Sequence, residues 1–115
     1  MSENDSILGR LMATIEGRKA APSEKSYTSK LLAGGIEKIG GKIVEEAAEV
    51  VDAASEPGDA GRSHFVYECA DLTYHLFVMM ALRGVSLGEL ETELGRRFGI
   101  SGLEEKASRP PKTGE

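Results

Sequence analysis

Two short acidic clusters sit inside apolar, helix-periodic stretches on either side of a Pro-Gly turn, and few folds can accommodate them. Glu45, Glu46 and Glu49 make the first cluster; Glu68 and Asp71 make the second. Residues three or four apart share a helix face, so each cluster sets like charges side by side at about 0.2–0.5 kcal/mol per pair. That repulsion calls for a counter-charge, and a hard divalent cation with oxygen ligands supplies one. The apolar stripes say how the clusters meet. At about 100° per residue, Glu46 and Glu49 lie about 70° and 130° to one side of their stripe's centre. Glu68 and Asp71 lie at the same offsets in the same rotational sense, whereas Glu45 stands about 170° away. Equal offsets share a rim only if the two helices run antiparallel, which the short turn at Glu56-Pro57-Gly58 dictates. The clusters lie about eight residues before that turn and about ten after it, a mismatch of roughly 3 Å. Glu46, Glu49, Glu68 and Asp71 are therefore expected to converge on the edge of the core.

Four helices and no strand account for the remaining periodicity. The first runs from Asp5 to about Gly17, with Ile7, Leu8, Leu11, Met12 and Ile15 at three-to-four spacing. The second spans about Thr28 to Ser55, with Leu32, Ile36, Ile39, Ile43, Ala47 and Val50 as its stripe. Gly34-Gly35 and Gly40-Gly41 weaken it and predict a kink before Lys42. Asp59 is the expected cap of the third helix, which ends near Arg83 with Gly84 just beyond. Ser86-Leu87-Gly88-Glu89 reads as a capping box opening a fourth, with Leu87, Leu90, Leu94 and Phe98 inward and Gly99 ending it. The chain thus divides into an all-α domain, 1–99, and an irregular C-terminal tail, 100–115, containing Pro110-Pro111.

The third helix is apolar nearly all round. Phe65, Cys69, Leu72, Leu76 and Met79 form one stripe, yet Tyr74, Phe77, Val78, Ala81 and Leu82 occupy other faces. Such a helix must be buried on every side, which in so short a chain points to a bundle completed by dimerisation.

Net charge is −5, from 14 basic and 19 acidic side chains. Setting the five clustered acids aside leaves 14 against 14, so the acidity belongs to a site and not to the whole surface. With 115 residues the chain fits one domain. It shows no apolar run approaching about 18–20 residues and no signal-peptide core, so no membrane is expected. The single Cys69 suits a reducing, cytoplasmic setting and falls where a packed hydrophobe is wanted. No basic footprint is present, and three Phe, three Tyr and no Trp offer little to stack bases on, so no nucleic acid is expected.

The ligand types narrow the metal. Zinc would want Cys or His, and a di-iron bundle would show Glu-x-x-His on paired helices. Here His75 follows Asp71 by four, and the first cluster has no His. Mg2+ remains; it keeps waters and bridges carboxylates to substrate phosphates, and one such water can attack a phosphoanhydride. His75 is expected to hydrogen-bond a carboxylate from behind, and His64 to lie on the surface. Lys42 is either an ion pair that relieves Glu46 and Glu49 or a phosphate contact. The basic residues from Arg96 to Lys112 are either a solvated tail or a hold on phosphates. Both pairs of readings stand at this point.

The segments Lys42-Ile-Val-Glu45-Glu46-Ala-Ala-Glu49 and Glu68-Cys-Ala-Asp71-Leu-Thr-Tyr-His75 resemble the all-α nucleoside-triphosphate pyrophosphatase (MazG-like) superfamily. Ser26-Tyr27-Thr28, Lys30-Leu31, Arg83-Gly84 and the tail Ser101 to Arg109 narrow the resemblance to the phosphoribosyl-ATP pyrophosphatases of histidine biosynthesis. Together these span most of residues 7–109. The Gly34-Gly35 and Gly40-Gly41 segment departs from the family's more alanine- and charge-rich helix. The resemblance implies Mg2+-dependent hydrolysis of 1-(5-phosphoribosyl)-ATP to 1-(5-phosphoribosyl)-AMP and pyrophosphate by a homodimer or dimer-based oligomer. It implies Glu46, Glu49, Glu68 and Asp71 as metal ligands and Glu45 as the catalytic carboxylate or a second-metal ligand. Lys30, Lys42 and the tail bases, Arg97 among them, would meet substrate phosphates. A house-cleaning pyrophosphatase acting on other nucleotides, or a non-catalytic helical oligomerisation module, remain the alternatives.

Overall fold

The computed structural model describes residues 6–98, which form four helices and no strand: α1 Ile7–Ala20, α2 Tyr27–Ala54, α3 Gly58–Leu82 and α4 Leu87–Arg96. Helix α4 ends at Arg96, with Arg97 as its C-cap, earlier than the expected end at Gly99, which like the tail at 100–115 lies outside the described residues. Helices α2 and α3 make an antiparallel hairpin, and α1 packs across both. Met12 and Ile15 of α1, Leu31 and Ile39 of α2, Phe77, Val78 and Ala81 of α3, and Leu87 of α4 build the core.

The ends of these helices are fixed locally. Ser6 and Ser26 each accept a hydrogen bond from the third residue on, at 2.9 and 3.1 Å, satisfying otherwise orphaned amides. Ser86 and Glu89 form the expected capping box. Gly84, at φ 71°, lets the Val85 amide reach the Met80 carbonyl at 2.8 Å and closes α3 as expected. Lys19 ties α1 to the same end, donating to the Ala81 carbonyl at 2.7 Å, where the helix dipole favours a cation. Asp59 does not cap α3; Pro57 occupies that position without a side-chain bond, and Asp59 lies in the first turn.

The hairpin differs from its expected form in how the helices are rotated. On α3 the buried positions are Gly61, Glu68, His75, Phe77, Val78 and Ala81. Leu76 of the expected stripe is 42% exposed, and Ile36 of α2 is exposed as well. A helix apolar on all sides has no preferred phase, so side-chain shape and the acids set the rotation. Leu94 and Phe98 also fail to turn inward, Phe98 being 83% exposed. Val44 and Val51 on α2, 73% and 70% exposed, share one face seven residues apart, and Val66 and Tyr67 on α3 are likewise uncovered. By length and composition α3 passes as a membrane span. Its middle nevertheless carries Glu68, Asp71 and His75, which are costly in hydrocarbon, so the apolarity belongs to a core helix.

The kink expected before Lys42 lies at Gly35, whose φ of 72° and ψ of −164° interrupt α2. That combination is essentially restricted to glycine. Gly35→Ala is expected to destabilise the protein by about 1–3 kcal/mol. Gly41→Ala, whose new methyl would meet open space, should be neutral or stabilising by up to about 1 kcal/mol. Denaturant midpoints of the two variants test this, and equal effects would refute it.

Candidate metal and catalytic site

The hairpin brings the two acidic clusters together at mid-height. Glu46 from α2 and Glu68 and Asp71 from α3 each place a carboxylate oxygen within 4.8 Å of the others. Glu49 lies against both Glu46 and Glu68, so all four expected ligands share one locus. They sit deeper than the rim anticipated from the stripes, with Glu46 7% and Glu68 4% exposed. Among the described residues, neither Glu46 Oε2 nor Glu68 Oε2 has a hydrogen-bond partner. Buried carboxylate oxygens without a donor are satisfied by a proton, a cation or a bound water.

Proton affinity reflects this crowding. Burial first, and then Glu49, hold the Glu46 carboxyl above its usual range. Contact with Glu49, followed by burial, lifts Glu68 to about 7. Cations can take the same place. An all-oxygen set on two rigid helices fits Mg2+, whereas the absence of sulfur and nitrogen inside it argues against zinc there.

The remaining candidates lie around this centre. Glu45 stands outside it, 56% exposed and 3.9 Å from Lys42, so Lys42 pairs with Glu45 and not, as the ion-pair reading expects, with Glu46 or Glu49. Lys30 is exposed and lines a separate cavity with Pro22, Ser23, Glu24, Ser29 and Ala33. Arg97 bonds Glu93 at 3.0 Å through Nε, and Arg96 joins it at 2.8 Å; together they hold the Glu93 carboxyl down to about 2. His75 is buried, but its Nδ1 donates to the Asp71 main-chain carbonyl at 2.9 Å and not to a carboxylate. That bond fixes the tautomer and leaves Nε2 facing the Tyr27 hydroxyl at 3.4 Å. Tyr27 and Tyr74 stack beside it at 6.3 Å.

Sequence reasoning missed the pairing of His64 with Glu56, 2.9 Å apart. Glu56 lies seven residues after Glu49 and His64 four before Glu68, so both continue the acidic faces by one or two turns. That spacing was the available signal. The Glu56 carboxylate also raises the His64 pKa.

Acids whose folded pKa is raised bind protons more tightly than the unfolded chain does. Their contribution to stability is complete below about 4.5 and is lost as pH rises through about 7 for Glu68. His64 titrates in the same sense, and Glu93 stays ionised throughout. Metal-free protein is therefore expected to lose a few degrees in Tm between pH 5 and 8, and Glu68→Gln to flatten that slope. Millimolar Mg2+ should raise Tm markedly at pH 8 and little at pH 5, where protons already occupy the oxygens. Calorimetry across this range tests the site, and coincident curves with and without Mg2+ at pH 8 would dismiss it.

Comparison with known proteins identifies the family. Residues 8–98 match the family model of phosphoribosyl-ATP pyrophosphohydrolase. The phosphoribosyl-ATP pyrophosphatase of Rhodopirellula baltica is 55% identical over 112 residues, covering 97% of this chain and 93% of that protein. The proteins of the same name from Rhodobacter capsulatus and Dechloromonas aromatica are 52% and 46% identical. The first covers 89% of this chain and 96% of its own length, the second 97% and 100%. An all-helical hairpin with convergent acids, matched by family and relatives along nearly its whole length, places the chain in the phosphoribosyl-ATP pyrophosphohydrolase family.

Proposed function

We propose that the protein hydrolyses 1-(5-phosphoribosyl)-ATP to 1-(5-phosphoribosyl)-AMP and pyrophosphate in the cytoplasm, as the second step of histidine biosynthesis, with Mg2+. The observation that carries this reading is the set of buried, donorless carboxylates in a chain of this family. Glu46, Glu49, Glu68 and Asp71 would hold the metal. When bound, Mg2+ would supply positive charge against the substrate's phosphates and make a water more acidic.

Everything else falls to the chain's own side chains. Glu45, outside the crowded set and open to solvent, is free to accept a proton from the attacking water. Lys42 beside it offsets its charge and offers a cation to an incoming phosphate. Lys30 is exposed for the same task. For Arg97 the bond to Glu93 would have to loosen or be shared before a phosphate is met. Val44, Val51, Val66 and Tyr67 would be covered by a second copy of the chain, completing the bundle as a homodimer.

Pyrophosphate release should be greatest with phosphoribosyl-ATP, weak with common (d)NTPs and absent without Mg2+. Preference for an ordinary or damaged nucleotide would favour a house-cleaning role, and no release from any substrate would leave only an oligomerisation module. Glu68→Gln should lose metal binding and turnover together. Glu45→Gln should retain metal binding while turnover falls on the order of 10²-fold. A rate restored by high Mg2+ would make Glu45 a ligand instead. Sedimentation should give a dimer at micromolar concentration, and a folded monomer there would overturn the assembly.

A further inference from the structure

Towards the turn of the hairpin, past the acid quartet, lies a pocket of about 400 Å³ lined by Glu49, Asp52, Glu56, His64 and Glu68. On α2 the three acids follow at spacings of three and four, and on α3 His64 and Glu68 are four apart, so each group shares one helical face. Gly61 makes the approach possible, because a Cβ there would strike the Glu56 main chain.

Within the pocket the Glu56 carboxylate oxygens lie 2.9 and 3.1 Å from His64 Nδ1. With Nδ1 donating to Glu56, the ring is fixed and Nε2 is directed at Glu68 Oε1, 3.7 Å away. That is longer than a hydrogen bond of about 2.7–3.2 Å. It is close to the separation of two ligands on one four-coordinate ion, about 3.3–3.4 Å for bonds of roughly 2.0–2.1 Å. A carboxylate bonded to the far nitrogen of an imidazole is the usual support of a metal-ligating histidine. Glu68, which the quartet shares, is buried, and its second oxygen, Oε2, has no hydrogen-bond partner among the described residues.

We propose that this pocket is a second cation site, taking a borderline first-row divalent ion such as Zn2+, with His64 Nε2 and Glu68 as its central ligands. Glu56 orients the imidazole, and Glu49 or Asp52, which line the same pocket, would turn in to complete the shell. One nitrogen ligand separates this site from the all-oxygen quartet, because imidazole favours such ions over Mg2+. Glu68 belongs to both sites, so filling the second withdraws an oxygen from the first. Zn2+ bound there antagonises Mg2+.

The test titrates metal-free, full-length protein with Co2+, read by visible absorption, and with Zn2+, read by calorimetry. Wild type should show two classes of Co2+ binding, the tighter one displaced by Zn2+ and weakened but not exchanged by Mg2+, as antagonism through the shared Glu68 requires. His64→Ala should lose that class, and Glu56→Ala should weaken it by about 10–100-fold. Both should keep wild-type Mg2+ affinity and helical circular dichroism. Identical Co2+ and Zn2+ isotherms in wild type and His64→Ala would overturn the second site, as would a single class of binding freely exchanged by Mg2+. Pyrophosphate release with Mg2+ is measured separately, so failure of the proposed hydrolysis leaves the Co2+ result to be judged alone.

Discussion

The whole structure turns on four carboxylates pressed together between α2 and α3. Two unit charges about 5 Å apart repel by roughly 3 kcal/mol at the effective dielectric of a protein. Glu46, Glu49, Glu68 and Asp71 multiply that cost, and burial adds desolvation to it. The apolar contacts of the hairpin therefore work against its own acids. Its ends compensate: Lys19 locks α1 onto the last carbonyls of α3, and Gly84 closes that helix so that α4 can begin at its capping box. These fixtures give the acids two rigid rails, and rigidity keeps the oxygens close enough to compete for one positive charge.

Much of this was legible in the residues themselves. The antiparallel hairpin follows from Pro57-Gly58, and the meeting of the acids follows from that turn together with their equal offsets from the two apolar stripes, the three- and four-residue intervals fixing only which acids share a face. The capping box at Ser86 and the close at Gly84 are local chemistry and appear as expected. Depth was not legible. The phase of α3 depends on an apolar moment that a helix with Phe77, Val78 and Ala81 beside Leu72 and Leu76 does not possess. Packing instead placed Glu68 and His75 inside and turned Leu76 outward. Leu94 and Phe98 misled for a different reason: apolar periodicity marks a face without saying that anything covers it.

Position within the site separates tasks that composition alone would merge. Glu45 and Glu46 are neighbours in sequence, yet the 100° step between them divides a buried oxygen from a solvated one. Glu46 is crowded by like charge and keeps its proton more readily. Glu45 faces Lys42 and water. A carboxylate in the first environment suits cation binding, and one in the second suits taking a proton from solvent. In the proposed reaction these two roles are kept apart by the helix, which turns adjacent residues to different media.

The exposed valines bear on the same balance. Val44 precedes and Val51 follows the clustered acids of α2, and Val66 and Tyr67 directly precede Glu68 on α3, so the helices that carry the repulsion also carry the uncovered apolar surface. In the proposed dimer a second copy would bury that surface at roughly 25 cal/mol per Å². On that scale about 120 Å² per chain is comparable with the repulsion between one carboxylate pair. Burial outside the hairpin would stiffen the rails from behind, while a cation neutralises the charge between them. Neither makes the other unnecessary, because apolar cover cannot satisfy a donorless oxygen and a metal cannot shield valine from water.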